Sequence, residues 1–220
     1  MKKNIPFVVN HSDGTYCFQA ALAMILQFFT DKKYSFEELN KLSQKLTGKW
    51  TWPTASLLWL LDHGYEIKLI ETFSYEEFGK KGKDYLIKAY GLEVANAQEA
   101  NSDLPREQKL ALEFSKKGCV ENRIPDWNDL KELFNEGYLI ICNINACSLY
   151  RKEGYSGHFV VPTSIAEDDI IIHDPGLPPH PSFKVKREVF EKGWGYPNDR
   201  AKNILAIRKK GTFPSEGNVP

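Results

Sequence analysis

The sequence predicts an α+β fold, with a helical N-terminal half packed on a C-terminal antiparallel β-sheet. Three observations lead there. As far as residue 136, most regular segments carry helix punctuation, with Ser- or Asp-led caps in front and Gly behind. From 138 onward the chain turns to short apolar runs, at 138–145, 158–164, 170–173, 182–185 and 204–208. The whole is 220 residues with 42% hydrophobic and 13% aromatic content, enough for one domain with a substantial core.

In chain order, a short extended arm at 6–9 and a polar turn at 10–15 lead into an apolar helix at 16–29. Thr15 is the expected cap of that helix, with Asp13 and Ser12 as alternatives. Ser35-Phe36-Glu37-Glu38 reads as a capping box opening a helix at 36–46. Trp50-Thr51-Trp52-Pro53 leads a further helix that ends at His63-Gly64, and 65–71 reads as a strand. A second capping box at Ser74 opens the most polar stretch, 73–123, where helical patches at 84–90 and 105–117 form a layer on one side of the core. Asp126 opens a helix at 127–136, closed by Gly137. Asp168-Asp169 is a turn between two of the late strands, and a short helix at 187–192 carries Phe190 toward Trp194. The expected domain is 1–210, followed by a Gly/Pro/Ser-rich tail, 211–220, read as disordered.

Lys+Arg and Asp+Glu both number 29, so there is no broad electrostatic pull toward nucleic acid or anionic membrane. No secretory signal or membrane span is expected: the two lysines at the start precede only Phe7-Val8-Val9, and the helix at 16–29 is too short for a bilayer. Cys17, Cys119, Cys142 and Cys147 match neither a zinc site nor a disulfide scaffold. A cytoplasmic protein with reduced thiols is expected, without metal or cofactor. There is no G-x-x-x-x-G-K-[ST] nucleotide loop.

The chemistry concentrates at three places. Cys17 heads the apolar helix, Gly157-His158-Phe159-Val160-Val161 opens a strand, and Ile170-Ile171-Ile172-His173 runs into Asp174-Pro175-Gly176. A thiol nucleophile needs a base to take its proton and a third group to orient the base. Cys17, His158 and Asp174 supply those types, each at the end of a regular element. The positive end of a helix dipole also favours a thiolate, and its free amides can bind an oxyanion. Plainer readings compete: a buried structural Cys17, His158 capping a strand edge, Asp174 as a turn residue before Pro. His173 neighbours Asp174, but strand alternation turns it to the other face. Helical spacing assigns Trp59 to the core.

On these residues the chain resembles the papain-like cysteine peptidase superfamily, most of all the bacterial double-glycine-leader peptidases of bacteriocin exporters and their free-standing relatives. The resemblance rests on the Cys17-to-Met24 helix, on Glu136-Gly137-Tyr138-Leu139-Ile140-Ile141, on the His158 strand and on Ile172-His173-Asp174-Pro175. Cys17 and His158 lie 141 residues apart, within the ~130–150 interval of papain-like enzymes. The resemblance implies a papain-like fold, with Cys17 as nucleophile, His158 as base and Asp174 as its orienting group. Two positions depart from it. Phe18-Gln19 stand where Gly, often with Pro, is usual, and the Gln usual six residues before the Cys is His11, flanked by Asn10. His11 and Asn10 are therefore candidate oxyanion donors; Trp52, as a substrate wall, and Gly157 complete the candidate oxyanion or substrate contacts. The expected activity is hydrolysis of a peptide or small amide through an acyl-thioester. A binding module without turnover and an acyl or amide transferase stand as alternatives, and the oligomeric state is left open.

Overall fold

The computed structural model describes residues 2–211. The tail predicted at 211–220 therefore lies, apart from Gly211, outside the described residues. Helices α1 (Cys17–Thr30), α2 (Phe36–Ser43) and α3 (Thr54–Asp62) precede strand β1 (Tyr65–Glu71). Four helices follow: α4 (Tyr75–Lys81), α5 (Lys83–Tyr90), α6 (Leu92–Asn101) and α7 (Leu104–Phe114). The chain continues through β2 (Val120–Asn122), α8 (Trp127–Asn135), β3 (Leu139–Asn145) and the short α9 (Ala146–Leu149). It closes with β4 (Gly157–Ile165), β5 (Asp169–Asp174), β6 (His180–Lys186), α10 (Arg187–Trp194) and β7 (Asn203–Lys209).

The strands form one sheet in the order β2-β1-β7-β3-β4-β5-β6. All pairings are antiparallel except β1 with the edge strand β2. The sheet thus also draws in β1, the strand expected at 65–71, and β2, from the stretch 73–123 expected to form a helical layer.

Alternation along the strands makes two cores. Leu139 and Ile141 of β3 face a large cluster with α1, α3, α4 and α7, whereas Ile140, Cys142 and Ile144 face a smaller one with Trp127, Phe190 and Trp194. Helices α8 and α10 therefore cover the second face, and the sheet is sandwiched between layers.

Helix α1 is the spine of the first layer: every residue from Phe18 to Leu26 is buried. Ala20, Ala21 and Ala23 keep its surface thin, while Leu22, Met24, Ile25 and Leu26 each gain roughly 1.5–3 kcal/mol from burial. It ends where Asp31 turns left-handed (φ 56°) and returns its amide to the Gln27 carbonyl. The capping boxes of Ser35 with Glu38 and of Asp126 with Asp129 are both formed. Helix α2 stops at Ser43, short of the predicted 46, because Gln44 turns left-handed.

Candidate active site

The turn at 10–16 sets the start of α1 in a way that differs from the prediction. Tyr16 occupies the cap position and no side chain caps the helix. Thr15 instead gives its amide and hydroxyl to Asp13 Oδ1 (2.8 and 3.0 Å), closing the turn on itself. Asn10, buried, organises the rest. Its Oδ1 accepts the Tyr16 amide (2.9 Å), its Nδ2 donates to the Gly14 carbonyl (3.2 Å), and its own amide donates to the Pro175 carbonyl (3.0 Å). Asn10 therefore ties the approach to Cys17 to the segment just after Asp174. With no side-chain cap, the first-turn amides beside the thiol are left for other acceptors.

His158 and Asp174 share one face of the sheet by parity, in line with Val160 and Ile172 of the second core, whereas α1 lies across the other face. They meet the thiol where the sheet ends. His158 Nε2 lies 2.6 Å from Asp174 Oδ1, both residues buried. The fully buried carboxylate also accepts the Gly176 amide on Oδ1 (2.7 Å) and the Tyr150 hydroxyl on Oδ2. With Nε2 committed to Asp174, Nδ1 is the ring nitrogen left to the partly exposed Cys17 thiol, which is hydrogen-bonded to His158. The sulfur also accepts backbone amides from Phe159 and Phe18. Strand β5 pairs with β4 only from Val161 onward, so it makes no claim on the Phe159 N–H.

The electrostatics follow from these contacts. Burial pushes the Cys17 thiol upward, but the bond and charge of His158, with the Phe159 and Phe18 amides, outweigh it and lower the thiol pKa. Burial pulls His158 down, and the bonds to Asp174 and Cys17 more than reverse this, raising it. Asp174 is pushed up by burial yet held below the usual carboxylate range by His158, Tyr150 and the Gly176 amide. All three shifts favour a thiolate–imidazolium pair beside an ionised aspartate.

Phe18 and Gln19, the two positions that depart from the family pattern, have structural work. The Phe18 ring meets Phe159 edge-on (5.0 Å, 65°), joining the start of α1 to the start of β4 and so thiol to imidazole. Gln19, fully buried, donates to Thr51 Oγ1 (2.7 Å) and Ser43 Oγ (3.3 Å).

The other sequence candidates are placed as follows. The Asn10 side-chain amide is committed to Gly14. His11 is exposed, with Nδ1 3.3 Å from Asp13 Oδ2 and its ring against Tyr16 and Phe36. The Trp52 indole N–H is committed to Ser102 Oγ (3.0 Å) and Gln98 Oε1 (3.2 Å), with the ring stacked on Phe78 in the helical layer. Gly157 is exposed at the strand end beside His158, opposite Asn145. His173 bonds the Ile5 carbonyl and the Ser182 amide and holds the N-terminal arm. Trp59 is partly buried against the first core, its ring stacked on His63.

Two further members of the site stand outside the expected Cys-His-Asp set. Tyr150 lies just beyond a four-residue helix that the apolar pattern does not mark, and its reach to Asp174 is set by tertiary folding. Gly176 packs so closely that a Cβ there would lie 2.8 Å from Asp174 Oδ1 and 3.4 Å from His158 Nε2; the Asp-Pro-Gly turn was its only signal. Among the described residues, no group of His, Cys, Asp and Glu is arranged to hold a metal ion, and no helix is long and apolar enough to cross a membrane. The four cysteines are unpaired, and burial pushes the Cys142 thiol far up.

No family model matches the chain, and no curated protein matches it. Among solved structures, the chain is similar to the peptidase domain of Streptococcus ComA, described as a bi-functional ABC transporter involved in a quorum-sensing pathway. The match covers 93% of this chain and 98% of that one, with a TM-score of 0.50 and 15% identity. At that identity the likeness is one of fold. The papain-like α+β architecture, and the resemblance to an exporter-linked peptidase domain drawn from the motifs, are borne out at that level.

Proposed function

We propose that this protein is a cysteine hydrolase acting on a peptide or other amide, with Cys17 as nucleophile, His158 as general base and acid, and Asp174 as the group that orients the imidazole. The observation that carries the reading is the 2.6 Å His158–Asp174 bond, buried, with the Cys17 thiol bonded to the same ring. In the proposed reaction the thiolate attacks the amide carbonyl carbon, and the carbonyl electron pair moves onto oxygen. The start of α1, which no side chain caps, would supply a backbone amide to that oxyanion. The imidazolium passes its proton to the departing amine as the C–N bond breaks, leaving a thioester. Water, deprotonated by His158, then releases the acid and restores the thiolate. The residues act within one cytoplasmic domain spanning 1–210.

One observation favours a slower variant, in which the cleft holds a peptide with little turnover. The Asn10 amide is spent on Gly14 rather than free as an oxyanion donor, and losing one such donor typically costs ~10²–10³ in rate.

The test is the pH dependence of Cys17 alkylation by iodoacetamide, followed by peptide mass analysis in the wild type and in His158→Ala. Reaction well below pH ~7 in the wild type, moving to a free-thiol profile near pH ~8.5 without His158, supports the pair. Free-thiol behaviour in both proteins rules it out.

A further inference from the structure

Beside the turn that carries Cys17 lies an open basin of about 450 Å³, lined by Glu37, Asn40, Lys41, Gln44, Lys45, Leu46 and Arg106. Two of its cations, Lys45 and Arg106, are held mainly by neutral oxygens. Lys32, Lys68, Lys80 and Lys83 each sit against a glutamate carboxylate. Lys45 does not. Its partly buried ammonium donates to the Lys49 carbonyl (2.8 Å), the Thr15 carbonyl (3.3 Å) and Thr51 Oγ1 (3.4 Å), and stands 4.5 Å over the Tyr16 ring. Among the described residues it makes no ion pair.

Its neighbours repeat the pattern. Lys49 donates to the Ala100 carbonyl (2.8 Å), and Arg106 to the Gln44 carbonyl (2.5 Å) and Gln44 Oε1 (3.2 Å). Two carboxylates lie near Arg106: Asp103, which accepts its backbone amide (3.2 Å), and Glu107 at 4.0 Å, which burial lifts to about 7, so at neutral pH Glu107 carries only part of a charge. The one acid lining the basin, Glu37, is taken up by Lys41 (2.8 Å). On a chain with zero net charge, this is a local surplus of positive charge.

The surplus lies next to the reactive sulfur. The Thr15 carbonyl that receives Lys45 is two residues ahead of Cys17, and the ring under its ammonium is Tyr16. Burial lowers the Lys45 pKa, opposed by the charges of Asp13 and Cys17. Neutral acceptors compensate a partly desolvated ammonium less fully than a carboxylate would.

We propose that this basin is an anion-binding subsite anchored by Lys45, with Arg106 on its wall, which takes a carboxylate of the substrate close to the bond that Cys17 attacks. The inference deepens the hydrolase reading and rests on it. It specifies the substrate class as an acidic peptide, or an amide bearing a carboxylate.

The test compares Cys17 alkylation by iodoacetate and by iodoacetamide. Both reagents depend equally on the fraction of thiolate, so the ratio of their rates reads the local charge whether or not His158 activates the sulfur. Failure of the hydrolase reading shows in the iodoacetamide pH profile, and failure of the subsite shows in the ratio. At low salt, Lys45→Gln is expected to lower the iodoacetate-to-iodoacetamide ratio about three- to tenfold, as one unit charge a few ångströms away requires. Lys45→Arg should keep it, and Cys147 in the same protein should show no change. Arg106→Gln, which leaves the Thr15 contact intact, should lower the ratio by a smaller factor and serves if Lys45→Gln does not fold. Succinate should slow iodoacetamide labelling of Cys17 in the wild type and not in Lys45→Gln. An unchanged ratio in the folded variants, with no protection by succinate, overturns the proposal.

Discussion

Asp174 accepts three hydrogen bonds, from His158, Gly176 and Tyr150, and each meets a different need. The first orients the imidazole, the second comes from a residue too close to carry a side chain, and the third satisfies the oxygen facing away from the histidine. Removing the Tyr150 hydroxyl leaves Oδ2 buried and short of a donor, which costs roughly 1–3 kcal/mol. It also weakens the hold on the charged form of Asp174, and through it on the imidazolium. Tyr150→Phe is therefore expected to lower the denaturant midpoint and to move the Cys17 alkylation profile to higher pH. Loss of stability with an unmoved profile would make Tyr150 a packing residue only.

At the scale of elements, the delicate joint is the turn from Asn10 to Tyr16. Asn10 bonds both ends of that turn and the strand exit at Pro175, so it sets how α1 enters the site. Asn10→Ala should cost about 1–3 kcal/mol by removing two side-chain hydrogen bonds, to the Tyr16 amide and the Gly14 carbonyl, each worth roughly 0.5–1.5 kcal/mol. It should also slow Cys17 alkylation at pH 6 by loosening the thiol from His158, which rate measurements at that pH would read directly. This joint also shows what the sequence could tell. Strand β1 was predicted with the bounds it has, and the Ser35 box and the helix start at Asp126 were read directly, because caps and alternation are local. The box expected at Ser74 forms only the half in which the Glu77 amide donates to the Ser74 side chain. Thr15 was the natural cap by local rules, and it lost to Asn10, whose role exists only once the turn has closed. Helix α6 was missed because Leu92–Asn101 buries only Ala95 and shows no apolar stripe. Strand β2 is three largely exposed residues on an edge, without an alternation to read. The positions of Cys17, His158 and Asp174 at element ends were legible, whereas the contacts of Tyr150 and Lys45 depend on packing between distant segments.

For the whole molecule, buried acids set the response to pH. Glu107 is buried with Oε2 lacking a partner among the described residues, and burial raises its pKa to about 7. Glu71 is raised to about 7 in the same way. An unfolded glutamate ionises near ~4.3, so the folded chain holds protons that the unfolded chain has lost over that interval. The stability tied to these neutral acids is fully present below pH ~4.3 and is lost as pH rises through about 7. Asp174 works in the opposite sense. Its lowered pKa contributes stability above ~3.9 that disappears as pH falls further. Glu107→Gln is expected to exceed the wild type by about 1–3 kcal/mol at pH 8 and to match it at pH ~4. Urea midpoints at the two pH values decide this, and an equal effect at both would mean that the folded carboxyl is ionised throughout.

The layered arrangement has a further consequence for the protein while it is being made. Cys17 leaves the ribosome ahead of His158 and Asp174, on a helix that packs against β3 and β4. The imidazole that changes its character arrives 141 residues later, and the carboxylate 157 residues later. Until β4 and β5 have closed against the sheet, the nascent polypeptide carries an ordinary thiol with no partner to ionise it. Synthesis itself then acts as a timer, and a prematurely terminated chain is chemically quiet.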